Sequence, residues 1–225
     1  MASEGCEPAR MNFSYRTAWV LFRFVYRTYF RCQIWHPERV PLTGPVILAS
    51  NHASFLDPPL IGVSLPRKVN ILARESLFRF PIMGAVLRSW SVVPVDREGA
   101  GAAGLKAIFN RLNDGGAIML FPEGTRTRDG QLQPARSGIG LAVIKSTAPV
   151  VPLRIFGTFE ALGRHMRFPR PRRVAVKFGH PQPFAALRAE AQTCDKARIK
   201  AIYQQVADEL MAAIAALKPG ADGAA

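Results

Sequence analysis

Val46-Ile47-Leu48-Ala49-Ser50-Asn51-His52-Ala53-Ser54-Phe55-Leu56-Asp57-Pro58 holds a strand, a loop and a helix start in thirteen residues. Val46 to Ala49 is an unbroken apolar run with the length of a short buried strand. Asn51 to Asp57 is a loop turning into a helix, and Pro58 suits the first helical turn, where an N–H has no intrahelical partner. Pro41, Gly44 and Pro45 punctuate the entry to this unit. Further along, Val69–Ala73, Ser91–Val95, Ala117–Phe121, Val150–Ile155 and Val174–Phe178 read as strands. Between them Leu77–Trp90, Leu105–Asn113 and Ile139–Lys145 carry apolar residues at helical spacing. Pro81 lies near the start of the first, and the stretch Gly99 to Gly104 leads into the second. Strands alternating with helices predict an α/β fold, a central β-sheet flanked by helices. A last helix over 195–217 puts Ile199, Ile202, Val206, Leu210 and Ile214 on one face, expected to pack on the sheet. No internal repeat is visible.

At 225 residues, 48% of them apolar, the chain can bury a real core, and disorder is not the default. The formal charge of +14 implies an anionic partner: nucleic acid, anionic lipid or a phosphorylated substrate. Cys6, Cys32 and Cys194 are odd in number and far apart, so neither a disulfide framework nor a zinc site is indicated, and reduced thiols in a cytosol-facing protein are expected. Thr17 to Phe30 is the best candidate for a membrane span, but Arg23 and Arg27 interrupt it. Nor does it have the form of a signal peptide.

Residues 11–35 read instead as an amphipathic helix. Arg16, Arg23, Arg27 and Arg31 share one face, with Leu21, Phe22, Val25 and Tyr29 opposite. An arginine stripe against an apolar stripe suits a helix lying in a membrane interface. The plainer reading is a surface helix docked on the domain with solvated arginines. The run Arg164, Arg167, Arg170, Arg172, Arg173 and Lys177 fits a membrane-facing patch or a solvated basic loop equally well.

Two segments carry chemistry. His52 and Asp57 can meet if the residues between them form a tight turn. A neutral histidine, with an ordinary pKa of about 6.5, can take a hydroxyl proton, and an aspartate on its other ring nitrogen fixes the tautomer. Alone, such a pair is usually coincidence. Phe121-Pro122-Glu123-Gly124-Thr125-Arg126 follows a strand. A glycine turn at a strand's carboxyl end can expose N–H groups, and Arg126 can grip a phosphate with two hydrogen bonds. Its plain reading is a glycine turn with a solvated arginine. Arg136 reads as a solvated charge near a helix start. No Gly-x-Ser-x-Gly elbow occurs and no cysteine neighbours a histidine, which favours direct transfer over a covalent intermediate.

Taken together these segments resemble the lysophospholipid acyltransferase family, the glycerolipid acyltransferases that acylate a free hydroxyl of a lysophosphatidic acid. The family's histidine-four-residues-aspartate block is matched by His52 and Asp57, and its second, more loosely, by Val93-Pro94-Val95-Asp96-Arg97. The third is matched by Phe121 to Thr127 and the fourth, centred on proline, by Val150-Val151-Pro152-Leu153. The blocks stand in the family's order between Val40 and Pro183. The resemblance implies a central mixed β-sheet, a base His52 oriented by Asp57, and an acceptor site made of Glu123, Gly124, Thr125 and Arg126, with Arg97 also on the phosphate. It divides the chain into a tail and interfacial helix (1–38), a catalytic domain (39–190) and a C-terminal helix with a loose tail (191–225). It implies transfer from acyl-CoA or acyl-carrier protein to a lysophospholipid, 1-acylglycerol 3-phosphate being the best single acceptor, on the cytoplasmic face of an anionic membrane. No metal or cofactor is expected. Another lysolipid acceptor is a rival within the class, and a lipid-binding relative without activity is a rival outside it. A nucleic-acid-binding module would account for the charge, but no helix-turn-helix, zinc or RNA-binding motif accompanies it.

Overall fold

The computed structural model describes residues 11–95 and 102–222. Seven strands form one sheet: β1 (Gln33–Trp35), β2 (Val46–Ser50), β3 (Val69–Arg74), β4 (Val92–Val95), β5 (Ala117–Leu120), β6 (Val150–Phe156) and β7 (Ala175–Phe178). Their order is β1-β7-β6-β2-β5-β3-β4. Every pair is parallel except β6 with β7, so the sheet is mixed, as the sequence leads one to expect. β2 lies between β5 and β6, and Val46 to Ser50 are all buried. A strand covered on both faces must be apolar throughout, which is why this run does not alternate.

Its alternation appears instead as two cores. Val46 and Leu48 join the core under α1 (Phe13–Thr28) and α2 (Asp57–Ser64), with Tyr26, Phe30, Leu60 and Ile61. Ile47 and Ala49 join the opposite core. There they meet Ile108 and Leu112 of α4 (Ala102–Asn113), Ile139 and Val143 of α5 (Gly138–Lys145), and α8 (Lys196–Ala216). α8 is buried along Ile202, Val206, Leu210 and Ile214, while Ile199 is half-buried. The remaining helices are α3 (Pro81–Ser89), α6 (Thr158–Leu162) and α7 (Ala185–Thr193).

The N-terminal segment differs from the expectation in two ways. First, the helix stops at Thr28 and the chain enters the sheet: Gln33 N–H donates to Val174 O, and β1 pairs with β7. A boundary at residue 38 therefore cuts through the packing of one domain. Second, the faces of α1 are not arginine against apolar. Its inner face is aromatic and polar at once. Tyr26 O–H donates to Leu56 O at 2.6 Å, Trp19 Nε1–H to Leu65 O at 3.0 Å, and Arg23 Nη1–H to Val63 O at 2.7 Å. Phe22 meets the Trp90 ring edge-on at 5.7 Å. Arg23 thus serves the carboxyl end of α2, where free carbonyls attract a cation. The outer face carries Phe13 (87% exposed), Val20, Leu21 (60%) and Phe24 (66%), flanked by Arg16 and Arg27.

Lys177 is not part of the basic loop either. It is 5% exposed in β7 and pairs with Asp222 at 2.8 Å. The rest of that run, Arg164 to Arg173, is exposed along with Phe168. Tyr29 O–H donates to Pro169 O and ties this loop to the end of α1.

Candidate active site

β2 and β5 are parallel neighbours, so the loops leaving their carboxyl ends stand side by side. The loop after β2 folds as the turn the sequence requires. Asp57 opens α2, is 0% exposed, and draws the preceding backbone around its carboxylate. Its Oδ2 accepts from Ala53 N–H at 2.6 Å, Ser54 N–H at 2.7 Å and His52 Nδ1–H at 2.8 Å. A carboxylate oxygen that already accepts two backbone N–H groups serves as an acceptor, which makes His52 Nδ1 the donor and leaves Nε2 as the ring's basic nitrogen. The His52 ring is stacked on Phe121, with centroids 3.9 Å apart. Ser54 Oγ–H donates to Leu162 O, and Asn51 exchanges two hydrogen bonds with the backbone of Ile155.

The loop after β5 clamps His52 from the other side. Glu123, 3% exposed, accepts from His52 N–H through Oε1 at 2.9 Å and from Gln133 N–H through Oε2 at 3.2 Å. Thr127 N–H donates to His52 O at 2.8 Å. Burial, with a smaller push from the Asp57 charge, raises the Glu123 carboxyl to about 7 against the two N–H bonds that lower it. The family resemblance places Glu123 in the acceptor site, and in the fold its two oxygens accept from the backbone of both loops. Both its oxygens are turned inward onto backbone, and it braces the histidine.

Gly124 adopts φ +70°, a left-handed turn open to glycine, and the Arg136 side chain lies against it. Arg136 is exposed, as its reading as a solvated charge implies, with its side chain beside this turn. Thr125 is exposed. The Arg126 guanidinium stacks on the Phe55 ring at 3.5 Å, which places it beside the His52 loop. Arg97 lies outside the described residues. Sequence reasoning missed Phe121 as the histidine's platform, Phe55 as the support of Arg126, and Thr158, whose Oγ1–H donates to Asp57 Oδ1 at 2.6 Å. Only the Gly157-Thr158 pair after a strand could have signalled the last.

Neither described cysteine competes as a nucleophile. The Cys32 thiol is pushed up to about 12 by burial, and Cys194 is half-buried against the core that contains α5 and α8.

A match of residues 31–156 to the protein family described as Acyltransferase covers all four blocks of the site and more than half of the chain. The chain belongs to the acyltransferase family. Among its acyltransferase relatives, it is 31% identical over 133 residues to a chloroplast 1-acyl-sn-glycerol-3-phosphate acyltransferase of Brassica napus, covering 58% of this chain and 38% of that protein. It is 29% identical over 121 residues to the 1-acyl-sn-glycerol-3-phosphate acyltransferase of Bacillus subtilis, covering 53% and 60%. The chain thus spans less than two thirds of the length of these curated relatives. Its fold matches the crystal structure of the 1-acyl-sn-glycerophosphate acyltransferase PlsC from Thermotoga maritima with a TM-score of 0.69 at 20% identity, over 92% of this chain and 81% of that one. Among the described residues, no helix is long and apolar enough to cross a membrane.

Proposed function

We propose that the protein moves a fatty acyl group from an acyl thioester, acyl-CoA or acyl-carrier protein, to the free hydroxyl of 1-acylglycerol 3-phosphate, giving phosphatidic acid. His52 Nε2 takes the hydroxyl proton as the oxygen attacks the thioester carbonyl. Asp57 holds the tautomer and balances the imidazolium. Collapse of the tetrahedral intermediate breaks the carbon–sulfur bond, and the departing thiolate receives the proton from His52. Both substrates meet directly, with no acyl-enzyme. Arg126, with its planar fork beside the same loop, binds the acceptor's phosphate, and Arg97 assists it. The protein's own part needs no metal or cofactor.

The observation that carries this reading is the pairing of buried Asp57 with half-buried His52, with Arg126 stacked against Phe55 of the same loop. The relatives named above act on the same acceptor by their descriptions, which supports the choice among lysolipids. The site is served at a membrane surface on its cytoplasmic side. The outer face of α1 supplies Phe13, Val20, Leu21 and Phe24 between arginines, and the Arg164–Arg173 loop adds charge and Phe168. The test is to supply purified protein with labelled acyl-CoA or acyl-carrier protein and a panel of lysolipids, and to identify the product. Phosphatidic acid as the main product supports the reading. Preference for a phosphate-free lysolipid overturns the acceptor, and no transfer to any lysolipid overturns the activity.

A further inference from the structure

Asp57 has two carboxylate oxygens, and the fold treats them differently. Oδ2 collects three N–H donors from its own loop. Oδ1 has one donor among the described residues, the Thr158 hydroxyl, from a segment about a hundred residues later in the chain. Thr158 is 1% exposed. It lies outside the four sequence blocks, two residues beyond β6.

The chain invests specific structure in delivering this hydroxyl. Gly157 turns at φ +77°, and a Cβ there would meet Arg173 O at 2.1 Å, so no other residue fits between β6 and Thr158. On either side the same segment grips the His52 loop: Ile155 exchanges two hydrogen bonds with Asn51, and Leu162 O accepts from Ser54 Oγ–H. Thr158 is β-branched and stiff at χ1, and its hydroxyl can only donate to an ionised carboxylate.

We propose that Thr158 is a positioning residue for acyl transfer, fixing the Asp57 carboxylate so that Oδ2 faces His52 Nδ1. This rests on the proposed roles of His52 and Asp57. Without the hydroxyl, Oδ1 is a buried anion facing a methyl group, and the carboxylate loses the contact that sets its rotation. Among the described residues, the titratable groups near the pair include Glu123, bonded to His52 N–H, Tyr26, bonded to Leu56 O, and Arg126, stacked on Phe55.

Thr158→Val keeps the side-chain shape and removes the hydroxyl, and Thr158→Ser keeps the hydroxyl and removes the methyl. Thr158→Val is expected to lower kcat roughly 10- to 100-fold, the rate equivalent of one charge-assisted hydrogen bond. KM for donor and acceptor should stay within about twofold. Thr158→Ser should recover most of the rate. In an Asp57→Asn background, Thr158→Val should cost nothing further, because both changes act through one carboxylate. A Thr158→Val enzyme with near-normal kcat overturns the proposal, as do equal losses in the Val and Ser variants or losses that multiply in the double variant. An activity-independent arm separates this from the wider reading. The His52 Nδ1 proton, followed by NMR and identified by its absence in His52→Ala, should exchange with water faster in Thr158→Val and not in Thr158→Ser. Unchanged exchange in Thr158→Val overturns the role of Thr158. Full activity in His52→Ala overturns the dyad instead.

Discussion

Two turns at neighbouring strand ends are held in opposite ways. In the turn after β2, Asp57 is fully buried and both its oxygens are bonded, while His52 is fixed at its N–H, its C=O, its Nδ1 and its ring face. In the turn after β5, Gly124 and Thr125 are exposed, and the Arg126 guanidinium rests on Phe55, itself 65% exposed. A proton transfer needs one geometry, and burial with complete hydrogen bonding enforces it. Arg126, proposed to bind the acceptor's phosphate, is half-buried, and the aromatic platform of Phe55 orients its guanidinium. Glu123 joins the two regions. It grows from the open turn, yet its carboxylate belongs to the closed one.

The largest test of this contrast is His52→Ala. Turnover should fall by roughly 10²–10⁴-fold, as for loss of a general base, with lysolipid affinity little changed. Near-normal turnover in a folded variant would remove the closed turn from the chemistry. Next, Arg126→Ala should weaken acceptor binding by about 1.5–3 kcal/mol, the worth of a charged hydrogen bond, and leave kcat at saturation nearly intact. Equal losses for phosphate-bearing and phosphate-free lysolipids would show that the open turn does not read phosphate.

Glu123→Gln tests the brace between them. An amide has one acceptor, so it cannot serve both the His52 and Gln133 N–H groups, and stability should drop by about 1–3 kcal/mol in denaturant melts. The same variant sharpens a pH effect. Because burial raises Glu123 from its ordinary 4.5 to about 7, ionising it costs the folded state more than the unfolded chain. Its contribution is therefore fully favourable below about 4.5 and is lost as pH rises through about 7. Glu123→Gln should flatten the stability–pH curve in that window, and an unchanged slope would assign the dependence elsewhere.

The smallest effect on chemistry is expected at the outer face of α1. Leu21→Glu with Phe24→Glu alters exposed side chains, so folding and turnover of monomeric short-chain lysolipid should be kept. Co-sedimentation with anionic vesicles should weaken. Wild-type binding should loosen at high salt without vanishing, since screening beyond a Debye length of about 10 Å at 0.1 M leaves the apolar part. Point changes are the right tool here, because removing residues 1–35 would take away β1 and the buried Tyr15, Tyr26 and Phe30. Unaltered sedimentation would shift attachment to the Arg164–Arg173 loop.

Some of this molecule was open to reading from residues alone. Runs such as Val46–Ala49 and Val150–Leu153 announce strands buried on both faces, because only apolar residues tolerate that place. The turn from His52 to Asp57 is local in sequence, and its own N–H groups at Ala53 and Ser54 close on the Asp57 carboxylate. Three-residue β1 carries too short a pattern to read, and it exists because Val174 and β7 give its backbone partners. The direction of a side chain is equally silent in sequence. Glu123 sits in the block that the resemblance assigns to the acceptor, and only the closeness of β2 to β5 turns it onto the His52 backbone. Arg23 and Lys177 look like members of solvated basic runs until α2 and the tail at Asp222 supply their partners. Periodicity along the chain thus determined most of the elements, and resemblance to a known family marked the acyltransferase blocks and the pairing of His52 with Asp57. Tertiary structure decided what Thr158, Phe121, Phe55 and Glu123 do, because each acts on a residue from another element, and such contacts form only when the sheet assembles.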